Sequence, residues 1–283
     1  NPTAALNLGD ATAVRVSYEY LSDTRTVDRG VPSLNGLPFD GDRSAFFGNP
    51  DESISDFERN AVAGTLEHAF SEDLTFRNSL SFASNDKAYS NVFASSAVNA
   101  LTGDVSIQSY FSSQQRRNLF NQSDLVWKAT TGGIGHTILF GVEAGVQKTE
   151  NFRNPNNAAG VVTIASPTTF APSPFLGVQN DNLVDLKVVG VYVQDQIEIG
   201  RFFQLVGGAR FDRFDLEFDN QVPLQSDFDR TDEVFSPRGG VIFKPAENSS
   251  LYFSYSKSFL PQSGDQFSNL TATFAALAPE GFE

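Results

Sequence analysis

The sequence of 283 residues contains no cysteine and no methionine, and only 19% of its residues are charged. The lack of cysteine excludes disulfides, zinc–thiolate sites and thiol nucleophiles. Lys plus Arg (20) are outnumbered by Asp plus Glu (34), so the formal net charge is −14. A chain this acidic lacks the basic surface that binds phosphate backbones, and we therefore expect no nucleic acid as a partner.

Long apolar runs are also missing. No stretch approaches the ~20 apolar residues that a membrane-spanning helix needs, and the mean hydropathy is −0.23. A helical membrane protein is thereby excluded. A β-barrel in a membrane is not excluded, because its lipid-facing residues alternate with polar ones and keep the mean hydropathy low.

The dominant pattern in the sequence is an alternation of apolar and polar residues with a period of two, which is typical of strands. Phe203, Leu205 and Phe211 fall on one face of such a segment, whereas Gln204 and Asp212 fall on the other. The pattern predicts an all-β protein of about nine strands in an antiparallel meander. The predicted strands are residues 11–21, 56–69, 74–88, 113–129, 136–152, 183–198, 202–218, 232–244 and 250–259.

Short and long linkers alternate between these strands. The short linkers are residues 71–73, 130–135, 199–201 and 245–249, and the long ones are 22–55, 89–112, 153–182, 219–231 and 260 onward. Short turns at one end and long loops at the other are typical of an outer-membrane barrel, with the turns periplasmic and the loops external. A soluble sandwich, whose turns follow one another every ~8–12 residues, remains an alternative at this point.

Several motifs resemble the barrel of the TonB-dependent siderophore receptors. They occur in the same order and with similar spacing as in that family. These motifs are GVYVQDQ at 190–196, QLVGGARFD at 204–212, FSPRGGV at 235–241, SLYFSYSKSF at 250–259 and PEGFE at 279–283. The segments DRGVPSLNG at 28–36 and FFG at 46–48 are similar to an external loop of the same family.

The resemblance implies a non-enzymatic receptor in the outer membrane of a Gram-negative cell. In that family, a barrel of 22 strands surrounds a plug domain, binds a ferric siderophore from outside, and imports it with energy from the TonB complex. We therefore expect residues 1–283 to be a partial transmembrane β-barrel in contact with outer-membrane lipid, without the plug and the remaining strands. A passive porin-type barrel and a soluble β-rich binding domain are the alternatives.

In such a barrel, one face of every strand would face the lumen. We assign Glu143, Arg210, Asp212 and Arg238 to this face and expect them to contact the plug. The other candidates for the same face are Arg15, Glu19, Arg77, Asp124, Lys128, Gln194 and Gln204. Alternatively, these charged groups pair with one another across neighbouring strands.

Ligand binding would fall to the external loops, where aromatic faces and Arg donors suit a bulky, often anionic siderophore. The candidate ligand residues are Arg29, Arg43, Phe46, Phe47, Tyr110, Phe111, Arg116, Arg153, Phe170 and Phe175. The loop 89–112 also offers Tyr89 and Phe93. Loop packing or solvated charge is the alternative for each residue. No cofactor is expected, because the siderophore itself holds the iron.

Two further features of the sequence are candidate metal sites. The acidic run Asp227, Asp229, Asp232 and Glu233 could bind calcium, although a solvated acidic surface is the simpler interpretation. His68 and His136 are far apart in the sequence, whereas zinc needs three or four clustered ligands. The sequence therefore predicts no metal site.

Overall fold

A computed structural model describes residues 1–246, 248–260 and 280–282. Within these residues, no helix is long and apolar enough to cross a membrane. The described residues include one 3₁₀-helix, Pro50–Glu52, and otherwise form strands, turns and loops. The strands are β1 (Thr3–Leu8), β2 (Thr12–Thr26), β3 (Ser33–Leu34), β4 (Leu37–Pro38), β5 (Ile54–Ala69), β6 (Leu74–Ala94), β7 (Asp104–Thr131), β8 (Ile134–Thr163), β9 (Asn180–Ile199), β10 (Phe203–Asn220), β11 (Phe228–Ala246), β12 (Ser249–Ser256), β13 (Ser258–Leu260) and β14 (Glu280–Phe282).

Ten of these strands form one antiparallel sheet in the order β1-β2-β5-β6-β7-β8-β9-β10-β11-β12. Each strand pairs with the next strand of this sheet along the chain, so the sheet is a meander, as the sequence predicts. The described parts of β1 and β12 do not pair with each other, and the sheet is therefore open. The pairs β3–β4 and β13–β14 form two small separate two-stranded sheets.

The main sheet has one strand more than the approximately nine that the sequence predicts. The predicted segments correspond to β2 and β5 to β12, but β1 was missed. This strand is only six residues long, and its alternation is too short to stand out. It turns into β2 through Gly9, whose φ of 71° favours glycine because other residues rarely adopt it.

Two of the predicted long loops, 89–112 and 153–182, contain long stretches of strand. Strand β6 continues to Ala94, β7 begins at Asp104 and β8 continues to Thr163, so the connecting loops shrink to 95–103 and 164–179. In these extensions β7 pairs with β8 as far as Asp104 and Thr163. In β8 the extension includes the run NPNNAAG at 154–160, whose Asn, Pro and Gly residues are typical of loops, although the backbone ladder continues on both sides of a register shift between Ile107 and Ser109.

The register of the sheet separates two faces. Leu205 lies opposite Val241, which lies opposite Phe253, and these three share a face with Phe211 and Phe235. We call this side the lipid face, since its large apolar side chains are exposed, with Phe253 at 75%. The residues that alternate with these apolar residues along each strand point to the opposite side, which we call the polar face. All the lumen candidates named from the sequence occupy the polar face.

Two apolar clusters stabilise the end of the sheet that carries the long loops. Phe47, from the loop between β2 and β5, packs with Val92, Val105, Ile107 and Val162. Burial of apolar side chains such as these favours a fixed loop over a flexible one. On the polar face, a second cluster joins β9 and β10 through Val184, Leu186, Val188, Leu216 and Phe218.

Candidate ligand site on the polar face

An aromatic–arginine cluster lies on the polar face near the loop end of β6, β7 and β8. At its centre is Tyr110, whose side chain is 6% exposed. Arg29 donates a hydrogen bond of 2.5 Å to the Tyr110 hydroxyl. The guanidinium carbon of Arg153 lies 3.9 Å from the centre of the Tyr110 ring. Tyr110 is therefore held between two cations.

Two more aromatic rings complete this cluster. The rings of Tyr89 and Phe93 lie 5.5 Å and 5.9 Å from that of Tyr110, and Arg29 lies 4.3 Å from the centre of Phe93. The register explains the proximity, because Asn91 lies opposite Tyr110 while Tyr89 lies opposite Ser112, which faces Arg153. Positions 89, 110 and 153 therefore project from the same face of three adjacent strands.

A cavity of about 280 Å³ opens beside Tyr110. Tyr89, Arg153 and Lys87 contribute aromatic faces and two positive charges to its lining, and Gln114 and Asn151 contribute amides. The Gln114 amide donates to the Asn151 side chain at 2.9 Å, and the Asn151 amide donates to Asn182 at 2.9 Å. Such a lining can bind an anionic aromatic ligand through cation–π contacts, charge and hydrogen bonds.

Burial of Tyr110 raises the pKa of its hydroxyl, and the hydrogen bond with Tyr89 raises it further. The positive charges of Arg29 and Arg153 act in the opposite direction and lower this pKa. The net direction is upward, so the phenol stays neutral at physiological pH. The two guanidinium charges are then not neutralised by Tyr110 and can attract an anion.

The loop that carries Arg29 is fixed at several points. The Val27 carbonyl accepts a hydrogen bond from the fully buried Asn91 amide at 3.3 Å, and the Val27 amide donates to Ser53 at 2.8 Å. Gly48 joins this loop to Phe93 of β6 and to Thr168 of loop 164–179 through backbone bridges. Arg29 is thus positioned by contacts between two loops and the sheet.

Three of the ten candidate ligand residues, Arg29, Tyr110 and Arg153, meet in this cluster. Arg116 lies on the same face but deeper along β7, where its Nε donates to Thr149 Oγ1 at 3.3 Å. Tyr110 and Arg153 lie on strands rather than on the predicted loops. Lys87, Gln114 and Asn151 were missed because they lie within predicted strands. These three residues lie on the same face of the sheet as Tyr89, so their positions in the alternation could have identified them.

The other candidates lie elsewhere. Phe111 points to the opposite face and packs against Phe152 and Phe175 at 6.3 Å and 6.1 Å between ring centres. Phe47 is only 3% exposed and belongs to the apolar cluster beneath its loop. The remaining three, Phe46, Arg43 and Phe170, lie in the loops outside the Tyr110 cluster, and Phe170 is 68% exposed.

A second polar network crosses the polar face deeper in the sheet. Arg210 forms ion pairs with Asp212 at 2.6 Å and with Glu143 at 3.3 Å. Tyr192 donates to Asp124 and accepts a hydrogen bond of 2.8 Å from Gln122. Three of the four residues expected to face the plug therefore pair within the sheet, and their contact with a plug stays a prediction.

Glycines make room for this network. A Cβ atom at Gly141 would overlap the Tyr192 ring, and one at Gly190 would overlap Arg210 and Asp212. The fourth residue, Arg238, is exposed and borders a cavity of about 510 Å³ next to Arg210. The network is thus built into the wall while Arg238 stays accessible beside it.

The structure divides the acidic run between the two faces of β11. Asp232 pairs with Arg230 at 2.7 Å on the polar face, whereas Glu233 pairs with Arg213 at 3.0 Å on the lipid face. This division removes the geometric basis for a calcium site. Across residues 1–246, 248–260 and 280–282, no three His, Asp or Glu are grouped so that they could hold a metal ion.

The geometry defines a class of protein. An antiparallel meander with short turns at one end, long loops at the other, an exposed apolar face and a polar face is a segment of an outer-membrane β-barrel. Residues 1–281 match the family model described as TonB dependent receptor-like, beta-barrel. The chain belongs to this family, which confirms the resemblance and the predicted fold. Members of the family are receptors and transporters of the Gram-negative outer membrane, not enzymes.

Curated relatives and solved structures agree with this assignment. The metal-pseudopaline receptor of Pseudomonas aeruginosa is 26% identical over 93% of this chain and 38% of its own length. The ferrichrome outer membrane transporter/phage receptor of Escherichia coli is 28% identical over 87% of this chain and 35% of its own length. The chain thus spans well under half of these relatives.

Two solved structures share the fold. The crystal structure of the ferric-catecholate import receptor Fiu from Escherichia coli superposes with a TM-score of 0.85 at 20% identity, covering 99% of this chain and 46% of that one. The siderophore receptor PiuA from Acinetobacter baumannii gives a TM-score of 0.83 at 23% identity, with 99% and 45% covered. In outer-membrane barrels of this class the long loops are external, and we assign the long loops of the present chain to that side.

Proposed function

We propose that the full-length protein containing this chain binds a ferric siderophore from outside the cell at the Tyr110 cluster. The observation that carries the proposal is the position of Tyr110 between Arg29 and Arg153, beside a cavity at the external end of the polar face. Import would then use energy from the TonB complex, transmitted through the plug domain that we expect in the full-length protein.

The chemistry of the cluster supports this ligand class. Ferric siderophores are bulky, often anionic and partly aromatic, and they match a lining of arginines, aromatic rings and amides. The siderophore supplies all the iron ligands, so the protein would need no resident cofactor. The names of several relatives, among them a ferrichrome transporter and catecholate receptors, support the same class without identifying the molecule.

Binding can be measured by titrating the purified full-length protein with ferric catecholate, hydroxamate and carboxylate siderophores while following protein fluorescence. We expect Arg29→Ala and Arg153→Ala to weaken the binding of the preferred ligand about tenfold or more, since each removes a cation–π contact and a charge. Arg201→Ala, in a periplasmic turn, is the matched control and should bind normally. Equal affinity in all three variants would refute this site.

Growth under iron limitation separates active import from passive diffusion. Cells that depend on this protein should grow on one siderophore from the panel, and growth should stop when TonB is deleted. Uptake that continues without TonB would instead favour the porin-type barrel, which remains the alternative function.

A further inference from the structure

Small side chains form a groove in the polar face of β2, β5 and β6. The register aligns them, because Ala63 lies between Ser17 and Ser81, and Ala61 lies opposite Ala83. Together they line a cavity of about 440 Å³. We call these five residues the small-residue groove. Ala63 and Ser81 are exposed, so the groove is open to the lumen.

The neighbouring large side chain is turned away from this groove. Phe120 on β7 lies directly opposite Ser81 on one side and Gly145 of β8 on the other. A Cβ atom at position 145 would overlap the Phe120 ring, so the ring occupies the space above this glycine. The ring therefore leans toward β8, and the space over the small residues stays free.

The small-residue groove continues the surface of the Tyr110 cavity inward. Tyr89 and Lys87 line that cavity, whereas Ala83 and Ser81 line the groove. All four project from the same face of β6, because alternate side chains of a strand lie on one face. Strand β6 runs from the periplasmic turn at residues 71–73 to the external side, so the groove lies between the Tyr110 cluster and the periplasm.

Positive charges lie at both ends of the groove. Arg59 lines its cavity at the external end, and Arg15 and Arg77 are exposed on the same face toward the periplasm. On the polar face of β2, β5 and β6, five Lys or Arg exceed three Asp or Glu by two charges, although the whole chain carries −14. A positive wall raises the local concentration of an anionic ligand. These residues are Arg15, Arg25, Arg59, Arg77 and Lys87 against Glu19, Asp23 and Glu67.

The polar face of β8 to β10 is filled instead. The Tyr192 ring occupies the space over Gly141, and the Arg210–Asp212 ion pair of 2.6 Å occupies the space over Gly190. A bulky chelate that passed here would have to displace a packed ring and separate an ion pair. Closer to the loops, the side chains on this face pack into the second apolar cluster, which holds Val184, Leu186, Val188, Leu216 and Phe218.

The cavity of about 510 Å³ beside Arg238 is a competing path, but it begins farther from the Tyr110 cavity. On β7, Gln122 of this competing cavity lies eight residues from Gln114 of the Tyr110 cavity, whereas Asn118 of the groove cavity lies four residues away. The small-residue groove is therefore the nearer open space on the way inward.

We propose that a siderophore bound at the Tyr110 cluster passes to the periplasm along the small-residue groove. This path rests on the function proposed above, because it begins at that cluster. A ferric siderophore is bulky, and small side chains leave the most room between the wall and the plug domain that we expect in the full-length protein. The opening forms against β2, β5 and β6, while the filled wall of β8 to β10 stays closed.

The first test fills the groove without changing the Tyr110 cluster. The probe is the compound that the wild type prefers among ferric catecholate, hydroxamate and carboxylate siderophores. Ala63→Trp in the full-length protein should bind this probe normally, since position 63 lies outside the Tyr110 cavity. Its rate of uptake into cells should fall about tenfold, which corresponds to ~1.4 kcal/mol of added barrier. Ser236→Trp, which places the same ring in the cavity beside Arg238, is the matched control and should import normally.

A second measurement does not depend on how well the tryptophan variant folds. The chain has no cysteine, so Ala63→Cys and Ser236→Cys each add a single small thiol to the wall. In cells, Ala63→Cys should react faster with a membrane-impermeant maleimide during siderophore uptake than at rest, and deletion of TonB should abolish the increase. The reaction of Ser236→Cys should not change, and the unsubstituted protein gives the background.

The outcomes separate the path from the binding site. Normal uptake in Ala63→Trp, uptake lost only in Ser236→Trp, or equal changes in the labelling of both cysteines would overturn the path while leaving binding at Tyr110 intact. If the unsubstituted protein bound no siderophore, the proposed function would be wrong and the path would be overturned with it.

Discussion

Arg153 on β8 and Tyr110 on β7 form a cation–π contact of 3.9 Å, and Arg29 binds the same phenol although it lies 81 positions away in the sequence. Arg153 belongs to the barrel wall, whereas Arg29 belongs to the external loop between β2 and β5. Their two contacts with Tyr110 therefore couple the position of this loop to the wall. A ligand that binds beside Tyr110 would meet both cations together.

Replacement of Arg153 by Gln should raise the pKa of Tyr110 further. Burial already raises this pKa above the ordinary value of 10.0, and the charge of Arg153 partly opposes the rise. The measurement is an ultraviolet titration of the tyrosinate band as a difference from a Tyr110→Phe variant. Lys187→Gln, on the other face, is the control and should leave the titration unchanged. An unaltered pKa in Arg153→Gln would contradict the contact.

The raised pKa of Tyr110 in the wild type predicts how the Tyr110 cluster responds to alkaline pH. The folded state holds the Tyr110 proton more tightly than the unfolded chain, whose phenols titrate near pH ~10. The contribution of this proton to the free energy of unfolding is fully present below pH ~10 and is lost as the pH rises through the pKa of Tyr110 in the folded state. We expect hydrogen exchange of loop 27–53 to increase in this range in the wild type, but less so in Tyr110→Phe.

Arg210→Ala should destabilise the barrel wall. It leaves the Asp212 carboxylate, only 8% exposed, without the cation that it contacts at 2.6 Å. We expect a loss of about 1–3 kcal/mol in the free energy of unfolding, less than the ~3–5 kcal/mol typical of fully buried pairs because Arg210 is partly exposed. The measurement is urea unfolding of the full-length protein in detergent.

A double variant separates lost pairing from lost packing at this site. Arg210→Ala combined with Asp212→Ala removes the uncompensated charge, so it should lose less stability than the two single variants added together. Strict additivity would mean that the pair has no coupling, and that the arginine contributes only through its hydrocarbon stem.

Gly48→Ala should separate the two external loops that meet at this residue. Gly48 has a φ of 149°, and a Cβ there would overlap the carbonyl of Val92. Gly177→Ala is a matched control, since Gly177 also has a positive φ of 77° but no other atom lies within 4 Å of the position that a Cβ would occupy. We expect limited proteolysis to cut loop 27–53 faster in Gly48→Ala only. Equal cleavage in both variants would show that the bridge does not hold the loops.

The alternation of residues predicted the wall of the barrel well. Leu205 and Arg210 were assigned to opposite faces from parity alone, and the register confirms this, because side chains of a strand alternate strictly. Parity fails where Pro, Asn and Ser residues interrupt the alternation. Residues 89–112 and 153–182 are predicted as loops, yet Tyr110 and Arg153 lie on the backbone ladder of β7 and β8, which continues past them.

The candidate site could be predicted only in part. Arginines and aromatic residues near the external end were sensible candidates, and three of them meet. Their meeting depends on the pairing of β6, β7 and β8 and on the fold of loop 27–53, neither of which leaves a local pattern. Phe47 is a candidate ligand residue that the structure does not bring to the site. It is an aromatic residue in a loop, as the candidates were, but it packs in an apolar cluster and does not line a ligand surface.

The last prediction concerns the lipid face. Leu205 and Phe253 both lie on the lipid face, and Val241 lies between them because it is paired with each. Leu205→Arg or Phe253→Arg should cost about 2–4 kcal/mol in the intact barrel, the penalty for Arg near the bilayer midplane. Gln204→Arg and Ser254→Arg, one residue away on the polar face, are the matched controls and should cost far less. Folding of the full-length protein into liposomes, followed by gel mobility, measures the difference. Equal penalties on both faces would mean that these side chains do not contact lipid.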